Sequence, residues 1–382
     1  MEIIESGGEH VVRSWASILD PKTLEQALMT ARCDAMAGPL ALMPDAHLGA
    51  GSTVGSVLLT HGIIPAAVGV DIGCGVSAFK TSIMRHEISD EASRRILGRI
   101  RETIPSGVGR GHSKSSVLGK EFVKWRGWPS IDEERRILTQ FGTLGSGNHF
   151  AEVSEDLDGF VWVLVHSGSR GAGNLIAQHH INVAKSLGHK VENAALSYLS
   201  PGSDELKDYV SDMLWAQDYA HYQRQAMVEA LYAAVLENVG DRNTVTKEEE
   251  IYCHHNYSEE VEAGVWLSRK GAIDATPDRM GIVPGSMGAA THIVKGKGNL
   301  DSYSSAPHGA GRMLSRGAAK RQLDLEEFKS QMADRLWDDR NAKALLDEAP
   351  LAYKPIETVM EDAKDLVETV TVLKAFINYK GL

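Results

Sequence analysis

The stretch Ser305-Ala306-Pro307-His308-Gly309-Ala310-Gly311-Arg312 sets one imidazole among small residues and follows it with a guanidinium. Glycine and alanine beside His308 keep bulk away from the ring and the neighbouring backbone N–H groups, so a large ligand can approach both. Arg312 adds a planar cation suited to a phosphate. A histidine so placed can act as a nucleophile toward a phosphoryl group. A second set of residues offers metal chemistry: Asp71, Cys74, His149, His166 and His255 supply a carboxylate, a thiol and three imidazoles. Asp71 and Cys74 share a glycine-bracketed loop, close enough to converge on one ion or two neighbouring ions, and a coordinated thiol gives up its proton near neutral pH. The mixed donor set names a divalent transition-metal site and is compatible with zinc. His254 adjoins His255, but neighbours on an extended segment face opposite ways, so only one of the two is expected to bind.

These residues belong to an ordered series. Met43-Pro44-Asp45-Ala46-His47 comes first, then Val68-Gly69-Val70-Asp71-Ile72-Gly73-Cys74-Gly75 and Gly145-Ser146-Gly147-Asn148-His149-Phe150. His166-Ser167-Gly168-Ser169-Arg170-Gly171, Cys253-His254-His255-Asn256-Tyr257 and Pro284-Gly285-Ser286-Met287-Gly288 follow, before the His308 loop and Tyr379-Lys380-Gly381. The series resembles the RtcB family of GTP-dependent RNA ligases, and it runs from about Met43 to the C-terminus. The first forty or so residues match only loosely, and Ala306 and Pro307 stand where many relatives carry other small or polar residues.

The resemblance implies an enzyme that joins RNA 3′-phosphate or 2′,3′-cyclic phosphate ends to 5′-hydroxyl ends, in tRNA splicing or RNA repair. It makes His308 the residue that takes guanylate from GTP, which then passes to the RNA 3′-phosphate as an RNA-3′-pp-5′-G intermediate. It implies two manganese(II) ions, with Cys74 shared, Asp71 and His149 on one side, and His166 and His255 on the other; His254 is left a structural role. Guanylate contacts carry over to Asn148, His149, Phe150, Ala151, Glu152, His255, Asn256, Pro284, Gly285, Ser286, Met287, His308, Gly309, Ala310, Gly311 and Lys380. Among them Glu152 can accept the guanine N1–H and N2–H protons, and Lys380 can donate to O6 or N7. Arg170 and Arg312, with Arg316 as a third, are the choices for RNA phosphates. Asp45 and His47 lie in a matching motif without an assigned role. RNA ends and GTP are the implied partners, with no membrane and no activating protein partner assigned. A metal-dependent phosphodiesterase or phosphatase acting on RNA ends is the competing reading, with His308 only binding or donating a proton. A non-catalytic RNA-binding relative is a third; it would lack a ligand or the His308 loop.

Composition sets the frame. A chain of 382 residues with 43% hydrophobic and 24% charged residues can bury a substantial core. The acidic start Met1-Glu2-Ile3-Ile4-Glu5 has no apolar signal core, and apolar runs such as Ile63–Val68 are too short to span a bilayer, so a cytoplasmic location is expected. Cys33, Cys74 and Cys253 form no CxxC pair and are odd in number, which fits a reducing compartment; Cys33 reads as a small buried hydrophobe. The net charge of −11 argues against a broad surface for gripping duplex nucleic acid. Positive charge is instead local: Arg110, Lys114, Lys120, Lys124 and Arg126 with only Glu121 opposing, and Arg312, Arg316, Lys320 and Arg321.

Strands and turns must aim these groups. Ser56–Thr60, bounded by Gly55 and Gly62, reads as a short buried strand, and Val161–Val165 as a strand apolar on both faces that delivers His166 at its end. Gly147–Phe150 turns into a further strand. Ser203 caps a long helix carrying Leu206, Val210, Met213, Leu214, Met227, Leu231 and Val235, with Gly240 as its stop. Two more helices are expected near Leu325–Trp337 and Ile356–Phe376, the latter opened by Pro355. With motifs interleaved throughout and no repeat or long linker, the chain reads as one compact α+β (mixed α/β) catalytic domain over residues 1–382, with central β-structure and surrounding helices.

Overall fold

The computed structural model describes residues 1–113, 131–240 and 245–381. Of the first basic cluster, Lys114, Lys120, Lys124 and Arg126, with Glu121, lie outside the described residues.

Two sheets carry the mixed α+β architecture. The first contains β1 (Glu2–Ile4), β2 (Val12–Ser14), β3 (Leu40–His47), β4 (Val54–His61), β9 (Asn256–Glu262) and β10 (Val265–Lys270), in the order β1-β2-β3-β4-β10-β9. Its neighbours are antiparallel except β2 and β3. The second contains β5 (Gly75–Met84), β6 (Phe150–Glu155), β7 (Phe160–Ser167), β8 (Lys247–His254), β12 (Met280–Pro284), β13 (Thr291–Gly296) and β16 (Val367–Lys380), in the order β12-β13-β16-β6-β7-β5-β8. The short β15 (Leu336–Trp337) adds to β16 in parallel, and β11 (Ala272–Asp274) pairs with β14 (Ser305–Pro307).

Side-chain alternation places the sheets face to face. Trp162 and Leu164 on β7 join Ala41 and Met43 on β3 and Val57 on β4 in one buried cluster. The intervening Val161, Val163 and Val165 point the other way, against Ile96 and Ile100 of α3 (Asp90–Thr103) and Met227 and Leu231 of α6 (Asp204–Leu236). Leu40 and Leu42 likewise turn outward onto Ala27 and Ala31 of α1 (Pro21–Ala31). Strands buried on both faces cannot show period-two polarity, which is why Val161–Val165 reads as an unbroken apolar run. Each fully buried Leu or Val contributes about 1.5–3 kcal/mol, so this double packing holds the strand ends firmly in place.

The remaining helices are α2 (Pro65–Val68), α4 (Ile131–Gln140), α5 (Arg170–Ser186), α7 (Arg316–Gln322), α8 (Leu325–Gln331) and α9 (Ile356–Asp362). Helix α6 starts as expected: the Ser203 side chain accepts the Leu206 N–H at 3.1 Å, and Asp204 and Glu205 fill the first turn. It stops at Leu236, with Glu237 and not Gly240 at its cap. None of the described helices is long and apolar enough to cross a membrane.

Two expectations are corrected. The helix near Leu325–Trp337 ends at Gln331, and Leu336–Trp337 is strand. The helix opened by Pro355 ends at Asp362, and Val367–Lys380 is a strand in mid-sheet, between β13 and β6. Thr369, Val370, Thr371 and Val372 are β-branched and fit a pleated surface better than a helix. Helical spacing of Val359, Val367 and Val370 hides that preference. The change matters, because β16 is what sets Lys380 opposite Phe150.

Candidate active site

The chain passes from one sheet to the other through a single residue. β8 belongs to the second sheet, β9 to the first, and His255 alone lies between them. Its N–H donates to the Cys74 carbonyl at 2.8 Å, and its carbonyl accepts from Gly271 at 2.7 Å. His255 is thereby fixed beside the loop that joins α2 to β5 and carries Asp71 and Cys74. His166 sits near the end of β7, on the same face as Trp162 and Leu164, and His149 enters β6. Four elements thus bring the five expected donors together.

Within 4.8 Å of one another the donor atoms form two groups that share Cys74: Asp71, Cys74 and His149, and Cys74, His166 and His255. The Cys74 sulfur is 3.5 Å from His149 Nε2 and 3.4 Å from His166 Nε2. His166 Nε2 is 3.4 Å from His255 Nε2, and His149 Nε2 is 3.0 Å from an Asp71 oxygen. The other ring nitrogens are held from behind. His149 Nδ1 faces the Leu144 carbonyl at 2.9 Å, and His166 Nδ1 the Asn148 carbonyl at 3.2 Å. Protons on Nδ1 leave the Nε2 lone pairs aimed at the cluster, the outer-shell arrangement that suits a metal. Asp71 approaches so closely that a Cβ on Gly168 would lie 2.2 Å from its carboxylate oxygens.

Electrostatics favour the same use. Burial, reinforced by neighbouring imidazoles, holds His166 and His255 well below the usual histidine range, so both rings are neutral and able to ligate. Burial opposes the Asp71 charge, yet when His149 Nε2 carries a proton its hydrogen bond and positive charge keep the carboxyl below the ordinary value, and a bound cation would take that proton's place. Burial and then Asp71 push the Cys74 thiol well up, so a cation must displace that proton for the sulfur to ligate. Carboxylate, thiol and three converging imidazoles fit a divalent pair. His254 is left out: its ring packs on Tyr257 with centroids 4.1 Å apart, and burial lowers it to about 3.

The His308 loop follows β14 directly and meets β3 at Asp45. Oδ2 of Asp45 accepts the N–H groups of His308 and Gly309 at 3.1 and 3.2 Å and lies 2.6 Å from His308 Nδ1. Gly311 has φ of 73°, and a Cβ there would sit 2.0 Å from the Asp45 carbonyl oxygen, so glycine is required. The His308 and His255 rings have centroids 4.7 Å apart. One cavity of about 510 Å³ reaches His308, Asp71, Cys74, His166 and His255 together, a volume suited to a nucleotide-sized ligand. The family described as tRNA-splicing ligase RtcB matches residues 26–129 and 124–381.

The chain belongs to the RtcB family.

Two Escherichia coli proteins are among its relatives. One described as RNA-splicing ligase RtcB1 is 37% identical over 94% of this chain and 93% of its own length. RNA-splicing ligase RtcB of strain K12 is 36% identical over the same shares. A tRNA-splicing ligase RtcB of Thermococcus kodakarensis is 29% identical over 89% of this chain and 86% of its own.

Relative to this RtcB cavity the remaining expected residues fall in three groups. Asn148, Phe150, Asn256, Pro284, Gly285, Ser286, Gly309, Ala310, Gly311 and Lys380 line it, as do Arg312 and Arg316. Ala151, Glu152 and Met287 are buried and are not among its lining residues. Glu152 lies behind the wall, where its carboxylate accepts from Asn378 Nδ2, and Lys380 Nζ donates to the Asn148 carbonyl at 3.1 Å. Arg170 is also off the lining: Nε donates to Thr143 Oγ1 at 3.2 Å and Nη2 to the Gly107 carbonyl at 3.4 Å.

Arg312 is committed to the protein. It donates to the Leu314 and Asp347 carbonyls at 3.1 and 2.5 Å and to the Tyr353 hydroxyl at 2.7 Å, with Glu348 at 3.3 Å. Arg316 is exposed at the cavity, and Nη2 lies so close over Gly147 that a Cβ there would be 2.3 Å away.

Sequence reasoning missed Glu348, Tyr353 and Lys354. Glu348 is buried and ties Arg312, Tyr353 and Lys380 together, while Lys354 donates to the carbonyls of Pro44 and Ala46 on either side of Asp45. The available signal was an acid pair, Asp347-Glu348, closely followed by Tyr353-Lys354 in an apolar stretch. His47 also lines the cavity; its Nδ1 faces the Asp45 carbonyl at 3.0 Å, and burial lowers the ring to about 4.

Proposed function

We propose that the protein is a GTP-dependent RNA ligase, acting as one catalytic unit over residues 1–382 in the cytoplasm. It joins RNA 3′-phosphate or 2′,3′-cyclic phosphate ends to 5′-hydroxyl ends, in tRNA splicing or RNA repair. The observation that carries this reading is that His308, paired with Asp45, lines one cavity with Asp71, Cys74, His166 and His255, members of the two donor groups that share Cys74.

Asp45 holds Nδ1 of His308 and leaves Nε2 to the cavity. In the first step Nε2 attacks the α-phosphorus of GTP; the bond to the β-phosphate oxygen breaks and pyrophosphate departs. Asp45 offsets the positive charge that develops on the ring. An RNA 3′-phosphate oxygen then attacks the same phosphorus and frees His308, giving RNA-3′-pp-5′-G. Finally the 5′-hydroxyl oxygen loses its proton and bonds to the 3′-phosphate phosphorus, while the bond to GMP breaks. Cyclic ends must first be opened by hydrolysis.

Asp71, Cys74 and His149 would hold one manganese(II) ion, and Cys74, His166 and His255 the other. Bound there, the ions would neutralise and orient the transferring phosphates. The Gly285 and Gly309 N–H groups donate to the Ala290 carbonyl and to Asp45, and those of Ser286 and Ala310 beside them are suited to phosphate oxygens. Asn148, His149, Phe150, Ala151, His255, Asn256, Pro284, Met287 and Gly311 complete the guanylate contacts. Glu152 and Lys380 read the guanine edge; they stand on neighbouring strands, Lys380 opposite Phe150 and Glu152 two residues further along β6, opposite Asn378. Arg170, Arg312 and Arg316 are the candidates for RNA phosphates, and Arg316, exposed at the cavity, is the best placed of the three.

The test is intact-protein mass spectrometry after incubation with GTP and manganese. One guanylate should add to the parent and none to His308→Ala. Label that persists in His308→Ala moves the nucleophile elsewhere, and no label in the parent with manganese or zinc returns the hydrolase reading.

A further inference from the structure

Arg224 is only 2% exposed, yet among the described residues no carboxylate pairs with it. The other deeply buried arginine of similar exposure, Arg269, has Glu259 at 2.5 Å and the Tyr257 hydroxyl at 2.6 Å. Burying a guanidinium without a counter-charge is costly, so what it touches is informative. Nη1 donates to the carbonyls of Gly73 and Ser167 at 3.0 and 2.8 Å, and Nε to the Ser77 hydroxyl at 3.2 Å. Gly73 precedes Cys74, and Ser167 follows His166. One nitrogen therefore bridges the two turns that present the shared sulfur and an imidazole of the second donor group.

Gln223 extends the bridge. Its Nε2 donates to the Ser167 hydroxyl at 2.9 Å and to the carbonyl of Gly168, the residue whose missing side chain makes room for Asp71. The helix that carries both residues is pressed onto the same loop: a Cβ on Gly73 would lie 2.9 Å from Gln217 Cα and 3.0 Å from Ala220 Cβ. Adjacent residues on a helix rarely reach the same target. Here they donate to consecutive residues, Ser167 and Gly168, where β7 ends beside the donor cluster.

We infer that Gln223 and Arg224 are positioning residues of the metal centre, which fix the spacing between the Asp71–Cys74 loop and the His166–Gly168 turn from beneath. The inference rests on the reading that the cluster binds divalent metal. A rigid outer shell of this kind changes metal affinity without touching the ion.

Cobalt(II) alone is the probe, since thiolate-to-cobalt charge transfer reports whether Cys74 ligates. The parent, Arg224→Lys, Arg224→Met, Gln223→Leu and a fold control, Arg269→Met, are titrated with cobalt chloride and followed by absorption, circular dichroism and melting. Arg224→Met should lower cobalt affinity roughly tenfold to a hundredfold and weaken the charge-transfer band. Arg224→Lys, which keeps the charge but not the fork, should fall between it and the parent. Gln223→Leu should show a smaller loss, and Arg269→Met should melt earlier with parent-like affinity and spectrum. If Arg224→Met does not fold, the lysine and Gln223 variants decide. Folded variants with parent-like cobalt binding and spectra overturn the inference alone. A parent that takes up no cobalt overturns the metal reading beneath it.

Discussion

Nδ1 of His308 lies 2.6 Å from Oδ2 of Asp45, and that oxygen also receives the backbone N–H groups of His308 and Gly309. A fully buried carboxyl group on β3 thus sets both the ring and the loop that carries it. Asp45→Asn can still accept the two N–H groups, so the fold should persist. It loses the charge that supports the ring during attack. Guanylate labelling of His308 should slow by about a hundredfold or more. Labelling at the parent rate in a single-turnover assay would mean that Asp45 only anchors the loop.

Cys74 belongs to both donor groups, whereas Cys33 and Cys253 lie buried in separate apolar clusters and in neither group. Cys74→Ala should therefore deplete both ions and abolish ligation, while Cys33→Ala and Cys253→Ala keep their metal and lose only packing, roughly 1–2 kcal/mol. Elemental analysis of the purified variants gives the answer. Full metal content in Cys74→Ala would remove the shared-sulfur arrangement.

Burial raises the Glu152 carboxyl to about 7, despite opposing charge from Lys380 and Arg335 and the Asn378 hydrogen bond. The folded chain therefore keeps a proton that the unfolded chain releases. The stability of the protonated form is fully present below pH about 4.5 and is lost as pH rises through about 7, on the order of 3 kcal/mol in all. Glu152→Gln should be no better than the parent at pH 4.5 and more stable at pH 8, as read from urea midpoints. Discrimination of GTP from ATP in the labelling assay should rise in the parent above pH 7 and be lost in the variant. A parent that uses both nucleotides equally at pH 8 would release Glu152 from base reading.

Arg316 and Arg312 differ in what already holds them. Arg316→Lys should leave the melting point close to the parent, within about 0.5 kcal/mol, keep the His308 label, and slow ligation about tenfold. Arg312→Lys cannot reach the same four acceptors and should destabilise by roughly 1–3 kcal/mol. Melting curves and step-resolved ligation separate the two. A parent-like melting point for Arg312→Lys would show that its protein contacts add nothing to stability.

By itself the sequence pointed to the residues that the fold brings together at the cavity. Glycine-framed motifs around Asp71, Cys74, His149, His166, His255 and His308 were legible because chemistry there demands particular side chains and close backbone approach, and both leave marks in a linear string. The strand that delivers His166 and the capped start of α6 were equally plain, since burial on both faces and N-capping are local signals. Tertiary structure alone decided what stands behind those residues. Lys354, Gln223 and Arg224 act on partners tens to hundreds of positions away, mostly through carbonyls that every residue possesses. Glu348 acts on the side chains of Arg312, Tyr353 and Lys380, so the linear string gives at most the Asp347-Glu348 and Tyr353-Lys354 pairs and not their partners. The same holds for β16: its spacing imitates a helix, and only hydrogen bonding to β13 on one side and β6 on the other, with Lys380 brought opposite Phe150, makes it a strand. The helical spacing yields there to β-branched propensity and to a mid-sheet place that satisfies the backbone on both edges, which an isolated stretch of sequence cannot foresee.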